Sequence, residues 1–255
     1  MCDHCGCSIV DDHRHHHQHS HGHDHDHGLE DESRRAIEVR RALLSRNERL
    51  AERNRGMFMG RGITVLNLMS SPGSGKTALI ERTLADLPGD RRIGVIVGDL
   101  ATENDARRIR DQGVHAIQIS TGTACHLDAH MVHHALEELD LASIDLLFIE
   151  NVGNLVCPAS FDLGEEARVV IIAVTEGEDK PLKYPVIFHD ADLVIVNKID
   201  LAEAVAYSHE EVVANIRQVA PAAEVIELSA LTGTGMDAWF RWLERSAAKG
   251  VRAPP

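Results

Sequence analysis

Residues 63–77, Ile63 to Thr77, read ITVLNLMSSPGSGKT. An apolar run of strand length breaks into a Ser/Pro/Gly loop, and the KTALIERTLADL that continues from it has helical spacing. A strand that enters a helix through a Gly-rich loop aims several backbone N–H groups at one point, which suits a phosphate. The phosphate-loop pattern G-x-x-x-x-G-K-S/T is met at Gly75, Lys76 and Thr77, with Ser70 in place of the first glycine. In that geometry the N–H groups of Gly73, Ser74, Gly75, Lys76 and Thr77 curl around the β-phosphate. Lys76 bridges the β- and γ-phosphates, and the Thr77 hydroxyl binds Mg2+. The plainer reading, an ordinary Gly-rich turn, accounts less well for the strand–loop–helix order.

Apolar runs then alternate with helical patterns. RIGVIVGDL, HAIQIS, DLLFIEN, VVIIAVTEG, DLVIVNKID and EVIELSA read as further strands, and GMDAWFRWLERSAA as a closing helix. Short strands apolar on both faces, separated by helices, predict an α/β fold: a mostly parallel sheet flanked by helices, of P-loop NTPase type. The predicted division is a Cys/His-rich tail over 1–30, an exposed helix and hinge over 31–62, and a nucleotide domain over 63–255. Ile37, Leu43, Leu44 and Leu50 give the helix a narrow apolar stripe, and the hinge is expected at Gly56–Gly62.

A later strand ends in Asn197-Lys198-Ile199-Asp200. A carboxylate there can accept from a ring N–H and an exocyclic amine together, a donor pair that guanine offers and adenine does not. Ser229 and Ala230 follow the next strand and are expected to contact the base. Ligands of open α/β sheets sit beyond the carboxyl ends of the strands, so all three motifs would share one edge. Asp200 as a mere turn cap is the alternative.

Two acids end strands on that edge, Asp99 in GVIVGD and Glu150 in DLLFIE. Glu150 is assigned to the Mg2+ shell and Gly153, three residues on, to sensing the γ-phosphate. Asp99 is assigned to orienting the attacking water or sharing the Mg2+ shell. The two acids' roles are interchangeable at this stage, and a solvated strand end is the plainer reading of either.

Cys125 and His126 lie in one predicted strand-end loop and Cys157 in another, both on the nucleotide edge. Thiolate and imidazole suit Zn2+ or Ni2+, and three ligands leave a position open. Buried free cysteines are the competing explanation. His126, His130 and His134 also recur at i, i+4 and i+8, but a solvated helix face is the preferred reading of His130, His133 and His134.

The chain opens MCDHCGCSIVDDHRHHHQHSHGHDHDHG, with Cys2, Cys5 and Cys7 close together and ten histidines within the first 27 residues. An affinity tag is an uninterrupted run, whereas this one is broken by Asp, Gly, Gln and Ser. So little apolar surface predicts disorder without metal. The formal net charge of −14 argues against a general nucleic-acid surface. No run is long and apolar enough for a membrane span or signal peptide, so a cytoplasmic protein is expected. In a reducing compartment the five cysteines are thiols or metal ligands.

CxxCGC, the His tract, SPGSGKT, GDLATENDA, CHLDA, ENVGNLVCPA and NKID, in that order, resemble the nickel-incorporation GTPase of nickel–iron hydrogenase maturation, the HypB family. The likeness covers essentially the whole chain. It implies slow, regulatory hydrolysis of GTP to GDP and phosphate, and GTP-dependent homodimerisation. It also implies a tight nickel site at Cys2, Cys5 and Cys7 and a nickel or zinc site at Cys125, His126 and Cys157. A nickel metallochaperone and the hydrogenase large-subunit precursor are the implied partners. The rivals are a urease nickel GTPase, for which an E-S-G-G-type switch is expected in place of ENVGNLVC, and a nickel or zinc storage protein. The intact Lys76, Thr77, Asn197, Lys198 and Asp200 speak against storage.

Overall fold

The computed structural model describes residues 27–99 and 104–250. Cys2, Cys5, Cys7 and nearly all of the His tract lie outside the described residues, so the expectations placed on them are neither met nor altered by it.

Seven strands form one parallel sheet: β1 (Thr64–Ser70), β2 (Ile93–Asp99), β3 (His115–Ser120), β4 (Leu146–Glu150), β5 (Ala167–Ala173), β6 (Leu193–Asn197) and β7 (Glu224–Glu227). Their order is β3-β2-β4-β1-β5-β6-β7. Each of the seven apolar runs became a strand, and β1, β4 and β6 are buried along their whole length. The two-residue period of a strand splits their side chains between two layers. Leu66, Leu68, Val95, Val97, Phe148 and Ile171 face one side. There they meet α2 (Lys76–Asp86), α3 (Asn104–Arg110) and the closing α8 (Met236–Gly250). Trp239 of α8 is fully buried in this layer, and its indole N–H donates to Thr83 Oγ1 at 2.9 Å, so the one polar atom of the ring is satisfied. On the other side, Val65, Ile96, Leu147 and Ile149 meet α4 (Ala129–Glu137), and Val170, Ile172, Val194 and Val196 meet α6 (Pro185–His189) and α7 (His209–Val219). The short α5 (Lys180–Lys183) precedes α6.

The predicted N-terminal helix is α1 (His27–Arg61). It runs through Gly56 and Gly60 where a hinge was expected, and the chain turns at Gly62, whose φ is +66°. Nor is all of it exposed. Ile37, Val39 and Leu43 face solvent, but Asn47, Ala51, Asn54 and Phe58 are buried against the nucleotide domain. Asn47 Nδ2 donates to Asp162 O at 2.7 Å and its Oδ1 accepts from Ala129 N at 2.8 Å. Asn54 Nδ2 donates to Ala129 O at 2.9 Å and to Leu163 O at 3.2 Å. Arg55 grips Asp162 through both carboxylate oxygens at 2.8 Å. Gly164 permits the approach, since a Cβ there would lie 2.6 Å from Ala51 O.

Among the described residues no helix is long and apolar enough to cross a membrane.

Candidate nucleotide and metal site

Because the sheet is parallel, every strand delivers its C-terminal loop to the same edge. There a cavity of about 450 Å³ is lined by Gly73, Gly75, Lys76, Thr77, Asp99, Glu150, Gly153 and Lys198, among others.

The phosphate loop is held from several sides. Gly73 and Gly75 adopt φ of +76° and +99°, a region that L side chains rarely enter. A Cβ on Gly75 would also lie 2.5 Å from Asn197 Nδ2. Lys76 Nζ donates to Ser70 Oγ at 2.6 Å, so the serine in place of the usual first glycine anchors the lysine. Ser71 Oγ donates to Glu176 Oε2, and Glu176 Oε1 accepts from Ala173 N at 3.0 Å. Glu176 therefore ties the loop to the end of β5, a role the sequence did not signal.

Asn197 and Lys198 turn out to brace the same loop. Asn197 Nδ2 donates to Ser74 O at 2.9 Å, and its Oδ1 accepts from Lys198 N at 2.8 Å and Ala230 N at 3.0 Å. Lys198 Nζ donates to Gly73 O at 2.7 Å. Ser229 Oγ donates to Asp200 Oδ1 at 2.5 Å, holding one carboxylate oxygen and leaving the other for a ligand. Ser229 and Ala230 thus reach this edge through Asp200 and Asn197.

Glu150 is buried at the end of β4. Its Oε1 accepts from Thr77 Oγ1 at 2.7 Å, while its buried Oε2 has no partner. An unpartnered carboxylate oxygen beside a hydroxyl is an oxygen donor set that fits Mg2+, a hard cation. Glu150 and Thr77 are the residues that would hold it. Burial pushes the Glu150 carboxyl from 4.5 up to about 7, against the pull of Lys76 and the Thr77 hydroxyl. Burial likewise lowers the Lys76 ammonium, against the pull of Glu150. The raised folded-state value favours the protonated acid. Its contribution to stability is complete below about pH 4.5 and is lost as the pH rises through about 7. The nucleotide-free chain should therefore lose on the order of 3 kcal/mol from this one group across that window. Denaturant titrations at a series of pH values should show a flatter profile for Glu150→Gln. Identical slopes in both proteins would contradict this account.

Asp99 ends β2 and lines the cavity together with Asp105 and Arg108 of α3, two residues sequence reasoning passed over. Gly153 packs on the phosphate loop so tightly that a Cβ would lie 3.0 Å from Pro72 Cα.

The second cluster lies beyond the loops of β3 and β4. One ligand atom from each of Cys125, His126 and Cys157 falls within 4.8 Å of the others, and Cys125 Sγ is 3.9 Å from His126 Nδ1. With Zn–S near 2.3 Å and Zn–N near 2.0 Å, ligand atoms on a tetrahedral ion stand about 3.5–3.8 Å apart, so a small contraction closes the set. Burial lowers the His126 pKa despite the opposing charge of Asp128, which keeps the imidazole neutral and able to ligate. Phe161 stacks on its ring at 3.8 Å between centroids.

The loop after Glu150 joins the two clusters. Asn151 Oδ1 accepts from Leu127 N at 3.1 Å, and Asn154 Nδ2 donates to Cys125 O at 3.3 Å. Asn151 Nδ2 donates to Asn67 Oδ1 at 3.2 Å, and Asn67 Nδ2 donates to Glu165 Oε1 at 3.2 Å. Glu165 Oε2 accepts from Leu163 N at 2.7 Å. This buried polar chain runs behind both clusters and was also absent from the sequence reading.

The histidines of α4 do not form one solvated face. His130 and His134 are exposed, but His133 is half-buried, with Nδ1 3.1 Å from Asn54 Oδ1 of α1.

Comparisons with known proteins agree with this geometry. The family described as CobW/HypB/UreG, nucleotide-binding domain, matches residues 64–227. The hydrogenase maturation factor HypB of Azotobacter vinelandii is 53% identical over 219 residues, covering 86% of this chain and 72% of that protein. The factor of the same name from Escherichia coli K12 is 54% identical over 211 residues, covering 83% and 73%. The crystal structure of HypB from Helicobacter pylori in complex with nickel superposes with a TM-score of 0.77 at 37% identity, covering 82% of this chain and 99% of that one. The chain belongs to the HypB hydrogenase maturation factors, within the CobW/HypB/UreG nucleotide-binding family.

Proposed function

We propose that this protein is a GTPase that delivers nickel during hydrogenase maturation, its nucleotide state governing metal held by Cys125, His126 and Cys157. The observation that carries the reading is the continuity of the Glu150–Cys157 segment. It starts at the buried acid beside Thr77, passes Gly153 against Pro72, touches the Cys125 loop through Asn154 and ends at the third ligand. A shift of Gly153 on γ-phosphate loss would move Cys157 relative to Cys125 and His126.

In this reading Lys76 and the N–H groups of Gly73–Thr77 hold the phosphates, and Asp200, set by Ser229, selects guanine. Mg2+, when bound, neutralises charge developing between the β- and γ-phosphates. Glu150 and Thr77 hold it, and Asp99 orients the attacking water from the end of β2. Hydrolysis of GTP to GDP and phosphate is slow and regulatory. The division into a metal-binding tail (1–30), a helix (31–62) and a GTPase domain (63–255) belongs to the same proposal. So do nickel at Cys2, Cys5 and Cys7, storage by the His tract, Zn2+ as an alternative occupant, a GTP-dependent homodimer and a cytoplasmic location. The proposed partners are a nickel metallochaperone and the hydrogenase large-subunit precursor.

The test is hydrogenase activity in cells lacking the protein, grown with and without added nickel. Activity should be lost at low nickel and return with excess nickel or with the intact gene. Loss that excess nickel leaves unrepaired would overturn nickel delivery.

A further inference from the structure

Among the described residues, three cationic side chains line the nucleotide cavity: Lys76, Arg108 and Lys198. Lys76 opens the helix that follows the phosphate loop, and Lys198 Nζ is tied to Gly73 O at 2.7 Å. Arg108 is the one that comes from outside the loop and its brace, on α3, one helical turn beyond Asp105.

Its guanidinium is gripped by one edge. Nε donates to Glu81 Oε1 at 2.9 Å and Nη2 to Glu81 Oε2 at 2.6 Å, the paired geometry that fixes a planar fork on a carboxylate. Glu81 belongs to α2, which starts at Lys76, so the fork is indexed to the helix that carries the phosphate loop. The other edge is engaged loosely, with Nη1 3.3 Å from Asp105 Oδ1. The Arg108 side chain is 49% exposed, so a ligand in the cavity can reach that edge. Its charge is already felt inside the site, where it opposes the rise that burial gives the Glu150 carboxyl.

We propose that Arg108 is a catalytic residue of GTP hydrolysis, its Nη1 edge passing from Asp105 to an oxygen of the γ-phosphate while Glu81 keeps the other edge in place. The inference rests on the GTPase reading above. Water attacks the γ-phosphorus, the bond to the β–γ bridging oxygen breaks, and GDP leaves with that electron pair. The water's protons go to the released phosphate and to solvent. Arg108 keeps its own protons and supplies charge to the transferring group, which a fork already aimed by Glu81 does with little rearrangement.

GTP hydrolysis and GDP binding by the full chain in saturating Mg2+ test this. Arg108→Ala should lower kcat by about 100-fold, the lower range for loss of such an arginine. KM for GTP and affinity for GDP should stay within about threefold of the parent, with an unchanged thermal melt. Arg108→Lys should recover less than about tenfold of the loss, since an ammonium cannot hold Glu81 and a phosphate oxygen together. Guanidinium ion added to Arg108→Ala should raise turnover at concentrations that leave the parent unaffected. Parental kcat in Arg108→Ala would overturn the assignment. So would a loss of GDP affinity as large as the loss of turnover, the mark of a residue that only holds the site's shape. A parent chain that hydrolyses no GTP would overturn the GTPase reading and this inference with it, so the two failures are told apart.

Discussion

Lys76→Ala should reduce GTP hydrolysis by about 10²–10³-fold, the usual effect of removing a charge-stabilising donor from a transferring phosphoryl group. The ammonium is buried and already aimed by its 2.6 Å bond to Ser70 Oγ, so little reorganisation is needed when phosphate arrives. No neighbour can replace it, because Lys198 Nζ is occupied by Gly73 O, and Arg108 is drawn to Glu81 at 2.6 Å. Phosphate release under saturating GTP and Mg2+ measures the effect, with a thermal melt to confirm folding. Nickel bound at the proposed Cys2, Cys5 and Cys7 site should survive the substitution, since those thiols are remote from Lys76 in sequence. Turnover within about threefold of the parent would remove Lys76 from the transition state.

Cys157→Ser should weaken metal binding at the second cluster by about 100-fold or more, since it removes one of three ligands and the only one supplied by the Gly153 loop. The readout is the thiolate-to-metal absorption of Co2+ in a chain whose Cys2, Cys5 and Cys7 are serine. Only Cys125 and Cys157 then remain of the five cysteines, so the band reports this cluster alone. In the Cys157-containing protein the apparent affinity should differ between GDP and a non-hydrolysable GTP analogue. Equal affinities would end the coupling, because a ligand with no differential affinity for two states shifts neither.

Much of this was legible in the sequence, for identifiable reasons. Seven apolar runs separated by helical patterns announce seven strands, and the phosphate loop is announced by its own local glycines and lysine. The Cys125–His126–Cys157 cluster was legible as chemistry but not as geometry. Its members converge because β4 sits beside β2 and β2 beside β3, a strand order that no local pattern encodes. The docking of α1 was misread because most of its buried face, Asn47, Ala51 and Asn54, carries no large apolar side chain, Phe58 being the exception. Periodicity finds hydrophobic stripes and is blind to a helix attached by amide hydrogen bonds. Glu176 and Asn67 escaped for a similar reason, since their partners lie 105 and 98 residues away.

Asn197 carries a consequence for how affinity is assembled. With one amide it fastens Ser74 of the phosphate loop to Ala230 of the loop after β7, and Lys198 adds a second fastening at Gly73. Under the proposed function, the grip on the triphosphate and the grip on the purine would therefore be one mechanical part. Replacing the amide with a carboxylate would set oxygen against oxygen at Ser74 O while keeping the acceptor for Ala230 N, so the phosphate loop would part from a neighbour that is still held. Binding of GTP in that reading would be a property of the joined rim, and free energies for the separate base and phosphate fragments should not add up to it.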